Sequence, residues 1–123
     1  QRDDTKQIVY DPSSNLYWQD NSEAKSVKRT WEGAKNYCQN LSFGGYNDWY
    51  LPSIKELESI ADYSKYPGSY KKGFKNFTSS GYWSSSSSAS DSSRAWYVDF
   101  KYGNSGGNVK TNKYYVRCSR AGR

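Results

Sequence analysis

Trp49-Tyr50-Leu51-Pro52-Ser53-Ile54-Lys55-Glu56-Leu57 is the stretch on which the fold turns. A proline pushes the residue before it out of the α region, so Trp49 to Leu51 must run extended. Directly after Pro52, Ser53 and Glu56 stand three residues apart, the spacing of a capping box in which each side chain bonds the other's backbone N–H. Ile54, Leu57, Ile60 and Ala61 then share one face, which predicts a helix running to about Asp62. An extended segment that passes at once into a capped helix belongs to a mixed α and β domain.

Upstream, Thr30 stands as an N-cap ahead of Trp31, Ala34, Cys38 and Leu41, predicting a helix from about 30 to 41 that buries Cys38 and closes at Gly44-Gly45. Gln7 to Tyr10 and Leu16 to Gln19 read as a hairpin across the turn-forming run 11–15. Residues 20–29 are polar and charged. Downstream, residues 63–81 read as a long exposed loop that carries function. Tyr82 to Ser85, Ala95 to Tyr102 and Lys113 to Arg120 are strand candidates, the last with Tyr114, Val116 and Cys118 facing the core. The serine run Ser84 to Ser88 and the glycine-rich Gly103 to Asn108 have loop composition.

At 123 residues the chain is one domain, read here as 1–123. Only 34% of residues are hydrophobic, yet 18% are aromatic, so the core must rest largely on Trp and Tyr. No apolar run is long enough to span a membrane, and the start at Gln1, neither an initiator Met nor a signal peptide, suggests a fragment or mature product. With no His and two Cys, a transition-metal site lacks ligands, and the few Asp residues form no spaced calcium cage. Cys38 and Cys118 read either as a disulfide, which implies an oxidising compartment, or as two separately buried thiols. No serine has a His or other base at a recognisable spacing, so no enzyme activity and no cofactor are expected.

Charge is divided between the halves. Residues 1–62 hold seven Lys/Arg and ten Asp/Glu, a net of −3; residues 63–123 hold eleven and two, a net of +9. That excess attracts polyanions. Tyr70-Lys71-Lys72-Gly73-Phe74-Lys75 is the leading candidate site, with Lys71, Lys72 and Lys75 as cations and Tyr66, Tyr70, Phe74 and Phe77 as stacking faces. The alternative is a solvated loop whose rings are tucked into the core. Lys101, Lys110, Lys113, Arg117, Arg120 and Arg123 suggest a second basic strip along the last strands, unless Arg117 is held in a buried salt bridge. Trp18, Trp31, Trp49, Trp83 and Trp96 read as core, Trp96 being the nearest to the loops.

Gly44 to Leu57, Tyr82 to Ser86, Ala95 to Phe100 and Val116 to Arg120 together resemble the C-terminal domain family of the Legionella collagen-like adhesin, over most of the chain from Ile8 to Arg120. The resemblance implies a C-type-lectin-like α+β fold: two helices, a small twisted antiparallel sheet, long loops, adjacent termini and a disulfide from a helix to the last strand, which Cys38 and Cys118 match. It also implies a secreted or cell-surface homotrimer on a collagen-like stalk, active in adhesion, heparin binding and virulence. Fold alone does not fix function. Taken with the charge, the expectation is an extracellular module binding sulfated or acidic polysaccharide (glycosaminoglycan), with no nucleic acid and no membrane insertion. The alternative is a receptor-type module holding a protein ligand through its C-terminal loops.

Overall fold

The computed structural model describes residues 1–66 and 68–122. In chain order the elements are β1 (Arg2–Asp3), β2 (Ile8–Asp11), β3 (Leu16–Gln19), α1 (Glu23–Ser26), β4 (Lys28–Arg29), α2 (Trp31–Gln39), α3 (Ile54–Glu58), β5 (Gly81–Ser87), β6 (Arg94–Asp99), β7 (Asn104–Val109), β8 (Tyr114–Tyr115) and β9 (Ser119–Ala121). They form an α+β domain with two sheets, ordered β1-β2-β3-β9 and β4-β8-β5-β6-β7. All pairings are antiparallel except a single parallel register between β5 and β8 at Tyr82 and Tyr115.

The capped segments form as their residues dictate. Thr30 Oγ1 accepts from the Gly33 amide at 3.2 Å to start α2. Ser53 Oγ accepts from Glu56 N at 3.2 Å while Glu56 Oε1 accepts from Ser53 N at 2.9 Å, completing the capping box. Ser53→Ala removes one of these bonds and is expected to lower stability by about 1 kcal/mol in urea denaturation. Helix α3 is shorter than the apolar spacing suggests. It ends at Glu58, where the Ser59 hydroxyl turns back onto the Glu56 carbonyl, yet Ile60 remains fully buried in the turn beyond.

Several expectations are corrected. The described residues form three helices and two sheets rather than two helices and one sheet. The polar segment 20–29 contains α1 and β4, and α1 is tied to α2 by the Tyr37 phenol, which donates to Glu23 at 2.6 Å. Burial, then Glu23, pushes that phenol up to about 12. Most of the serine run is strand, not loop: Ser84 is buried with its hydroxyl on the Trp96 carbonyl at 2.7 Å. Ser86 Oγ accepts from Ile54 N at 3.0 Å, serving an otherwise unpaired donor at the start of α3. The glycine-rich run is edge strand β7, in register with β6 from Arg94↔Val109 to Asp99↔Asn104. The expected strand 113–120 is two strands in different sheets, β8 and β9.

Two apolar clusters fill the interior. One surrounds the Cys38–Cys118 disulfide with Trp31, Trp49, Leu51, Trp83 and Val116. The other gathers Trp18, Leu57, Ile60, Tyr82, Val98 and Phe100. Three indoles find carbonyl partners: Trp31 on Ser84, Trp49 on Phe43 and Trp83 on Arg29. Trp18 is fully buried with its indole N–H unpaired among the described residues, and Trp96 alone of the five is exposed, 39% on β6.

Candidate functional site

The basic loop is anchored from beneath by a buried ion. Asp20, next after β3, is fully buried and accepts four bonds on its carboxylate: from Arg2 Nε (2.7 Å), Arg117 NH1 (2.9 Å), Lys75 N (2.9 Å) and Asn76 N (3.0 Å). Asn76 Nδ2 also donates to the Asp20 carbonyl at 2.7 Å. A carboxylate taken out of water is tolerated when its lone pairs are met in this way. The backbone at 75–76 is thereby fixed to the hairpin.

Arg117 is therefore not a ligand-facing cation. Its side chain is fully buried; it pairs with Asp20, donates to the carbonyls of Gln19 and Asn76, and its guanidinium stacks on Phe77 at 4.1 Å and Phe74 at 4.9 Å. The rings of the loop turn inward to receive it. Tyr70 stacks on Phe77 at 4.2 Å, nearly parallel, and both rings pack against the second cluster. Tyr70 is half-buried with one face covered by Phe77, so this ring follows the tucked-in alternative.

The three loop lysines point outward. Lys72 is exposed. Lys71 Nζ lies 3.4 Å from Asp11 Oδ2 and 3.3 Å from Ser13 Oγ, and Lys75 Nζ lies 2.9 Å from Asp4 Oδ1. These partners stay ionised. Burial raises the Asp11 carboxyl, but bonds from Ser13 and Ser14 and the charge of Lys71 outweigh it and hold it below the usual range. The hydrogen bond from Lys75, then that from Arg2, does the same for Asp4. The Lys75–Asp4 pair is at the surface, where a polyanion competes for the ammonium at little cost, whereas Asp11 is largely buried beneath Lys71.

The second strip does not assemble, because the chain changes sheets between Tyr115 and Ser119. Arg120, 7% exposed, grips Asp48 through Nε (2.6 Å) and NH2 (3.1 Å) and stacks on Tyr46 at 3.8 Å. Lys101 and Lys110 stand at opposite ends of the β6–β7 hairpin, roughly 20 Å apart. Lys110 Nζ donates to the Ser92 carbonyl at 2.7 Å and lies 4.1 Å from the Trp31 ring. Lys113 is exposed in the turn after β7, and Arg123 lies outside the described residues.

Two features escaped the sequence. Lys35, one turn into α2, lies 3.8 Å from the Trp31 ring that Lys110 also approaches, which makes a small basic focus at that corner. Tyr63, Tyr66 and Tyr102 are broadly exposed, and only Tyr66 was visible as a flanking ring. Tyrosines scattered among Ser, Lys and Gly show no period that reveals which side they take. Among the described residues no three His, Cys, Asp or Glu gather as metal ligands, and no helix is long and apolar enough to cross a membrane.

A disulfide-stapled α+β domain, aromatic within and carrying a lysine loop moored by buried ions, is the class these features define. The chain belongs to the Lcl C-terminal domain family, whose model matches residues 7–120. That family is an adhesin-associated module, the one the sequence resemblance pointed to. No curated protein matches the chain.

Proposed function

We propose that this domain is an extracellular adhesion module of C-type-lectin-like fold that binds sulfated or acidic polysaccharide without a cofactor and without enzymatic chemistry, as a homotrimer on a secreted or surface protein. The observation that carries the reading is the loop bearing Lys71, Lys72 and Lys75, outward-facing and fastened at its backbone to Asp20. Cations presented on a fixed support lose little freedom on binding a polyanion. The +9 balance of residues 63–123 adds a long-range attraction. In a trimer three such loops act together, which raises avidity without any new contact.

Retention on immobilised heparin and on unsulfated hyaluronan across a salt series tests this. Wild type should be held on heparin in a sulfate-selective, steeply salt-dependent manner. The Lys71→Ala/Lys72→Ala/Lys75→Ala variant should lose most of it, with the slope of log K against log salt falling by about 2. Equal or negligible retention on both matrices would remove the reading and turn attention to a protein ligand at the loops between Ser84 and Asn112. A pH series adds a second check. The chain has no histidine, and Asp4 and Asp11 are held below their usual range, so heparin retention is expected to stay flat between about pH 7 and pH 5. A marked rise on acidification would mean that a group outside this loop governs binding.

A further inference from the structure

The segments 61–66, 68–70 and 99–103 meet in one small shelf. Ser69 is fully buried at their junction, its amide donating to the Phe100 carbonyl at 2.7 Å and its hydroxyl within bonding distance of the carbonyls of both Lys65 and Lys101. Asp62 N donates to the Ser69 carbonyl at 3.0 Å and Asp62 Oδ1 accepts from Ser64 N at 3.0 Å, closing the first loop on itself. Gly103, at φ +86°, closes the second; a Cβ there would stand 3.0 Å from the Tyr63 ring and 3.2 Å from Ser69. Only glycine has both the left-handed backbone and the space.

Three tyrosines lie on this shelf: Tyr63, 67% exposed, Tyr66, 63%, and Tyr102, 54%. Tyr66 and Tyr102 stack at 5.1 Å with a 20° angle between planes, and Tyr63 packs on the glycine that follows Tyr102. The Tyr102 phenol beside it holds the ionisation of Tyr66 above its ordinary range. Lys101 Nζ lies 5.5 Å from the Tyr102 ring, and Lys65 Nζ reaches the Tyr70 carbonyl at 3.3 Å with further donors to spare. Rings this exposed, on a backbone this constrained, face solvent at no evident structural gain.

We propose that Tyr63, Tyr66 and Tyr102 form a platform on which a pyranose ring of the bound polysaccharide stacks, with Lys101 and Lys65 beside it receiving the anionic groups of the chain. The inference rests on the polysaccharide reading above and gives it a second site, separate from the Lys71–Lys75 loop. A pyranose has an apolar C–H face and a rim of hydroxyls, which match the faces and phenol oxygens of tyrosine. A second copy of the chain fits less well. The exposed ring area is roughly 400 Å², about half of the ~800 Å² that each partner contributes to a stable interface.

The test is a calorimetric and NMR titration with a heparin-derived oligosaccharide and with its fully desulfated form. Tyr66→Ala/Tyr102→Ala should bind both about tenfold more weakly than wild type with an unchanged salt slope, while Tyr66→Phe/Tyr102→Phe retains most of the affinity. In wild type the ring resonances of Tyr63, Tyr66 and Tyr102 should shift with either oligosaccharide, a readout that needs no variant to fold. Wild-type affinity in the alanine variant, or unmoved ring resonances, would overturn the platform while leaving the lysine loop untouched. A change in sedimentation of the same variant in the absence of sugar would assign the rings to a contact between copies and also overturn it. Desulfated sugar bound as tightly as sulfated, lost with the tyrosines but not with the loop lysines, would keep the platform and remove the polyanion reading. Binding of neither oligosaccharide by wild type would overturn both.

Discussion

Asp20→Ala is expected to lower stability by about 3–5 kcal/mol, a large part of the ~5–15 kcal/mol a domain of this kind possesses. The substitution leaves Arg117 buried with no counter-charge, removes the carboxylate acceptor of Arg2 Nε, and strips the acceptors from the amides of Lys75 and Asn76. Each buried donor then bears its own desolvation cost. Arg117→Met is expected to cost less, about 2 kcal/mol, because Asp20 keeps Arg2 and both amides while a flexible apolar chain fills the space among Phe74, Phe77 and Tyr82. Urea denaturation of the two variants decides the matter. Equal losses would mean that Arg2 does not hold the carboxylate once Arg117 is gone.

Cys38→Ala/Cys118→Ala is the second large effect. The bond joins residues 80 apart, and in the chain-entropy model closing such a loop stabilises the fold by about 4 kcal/mol. Both cysteines are fully buried, so the smaller side chains also leave a gap between Trp31, Trp49 and Trp83. Thermal melts with and without reductant should show wild type falling to the level of the double variant and the variant itself unmoved. A wild-type midpoint indifferent to reductant, under conditions where the bond is verified as broken, would locate the stability elsewhere.

The parts of the fold legible in the sequence were those with local causes. Ser53 and Glu56 announce the start of a helix whatever surrounds them, and Thr30 does so for the other long helix. The strand β7 was not legible because its glycines answer to a distant partner. A Cβ on Gly106 would stand 3.1 Å from the Tyr97 hydroxyl across the ladder, so the residue that lowers strand propensity is the one that leaves room for that ring. The serines of β5 likewise draw their conformation from the Trp96 carbonyl and the start of α3. Alternation read Lys113 to Arg120 as one strand with Arg117 outward, but a full guanidinium is buried wherever rings and a carboxylate await it, and Asp20 is 97 residues away. The lysines of the candidate loop stand on its solvent side, Lys71 half-exposed beside Asp11. For the rings beside them the sequence left both orientations open, because the same composition serves Tyr70, turned in, and Tyr66, left out.

The last strand has a consequence for the order in which the molecule forms. β9 closes the first sheet by pairing Ser119 with Trp18 and Ala121 with Leu16, and Tyr114–Tyr115 binds the second sheet to Lys28–Arg29. The N-terminal hairpin, once synthesised, therefore waits for roughly a hundred residues before its neighbour emerges, and Asp20 and Cys38 wait with it. Pairings of such long range form slowly, since loop entropy is lost before contact energy is gained. A chain that stops before Tyr114 carries every helical segment yet can complete neither sheet, and one that stops between Tyr115 and Ser119 can complete the second sheet but not the first.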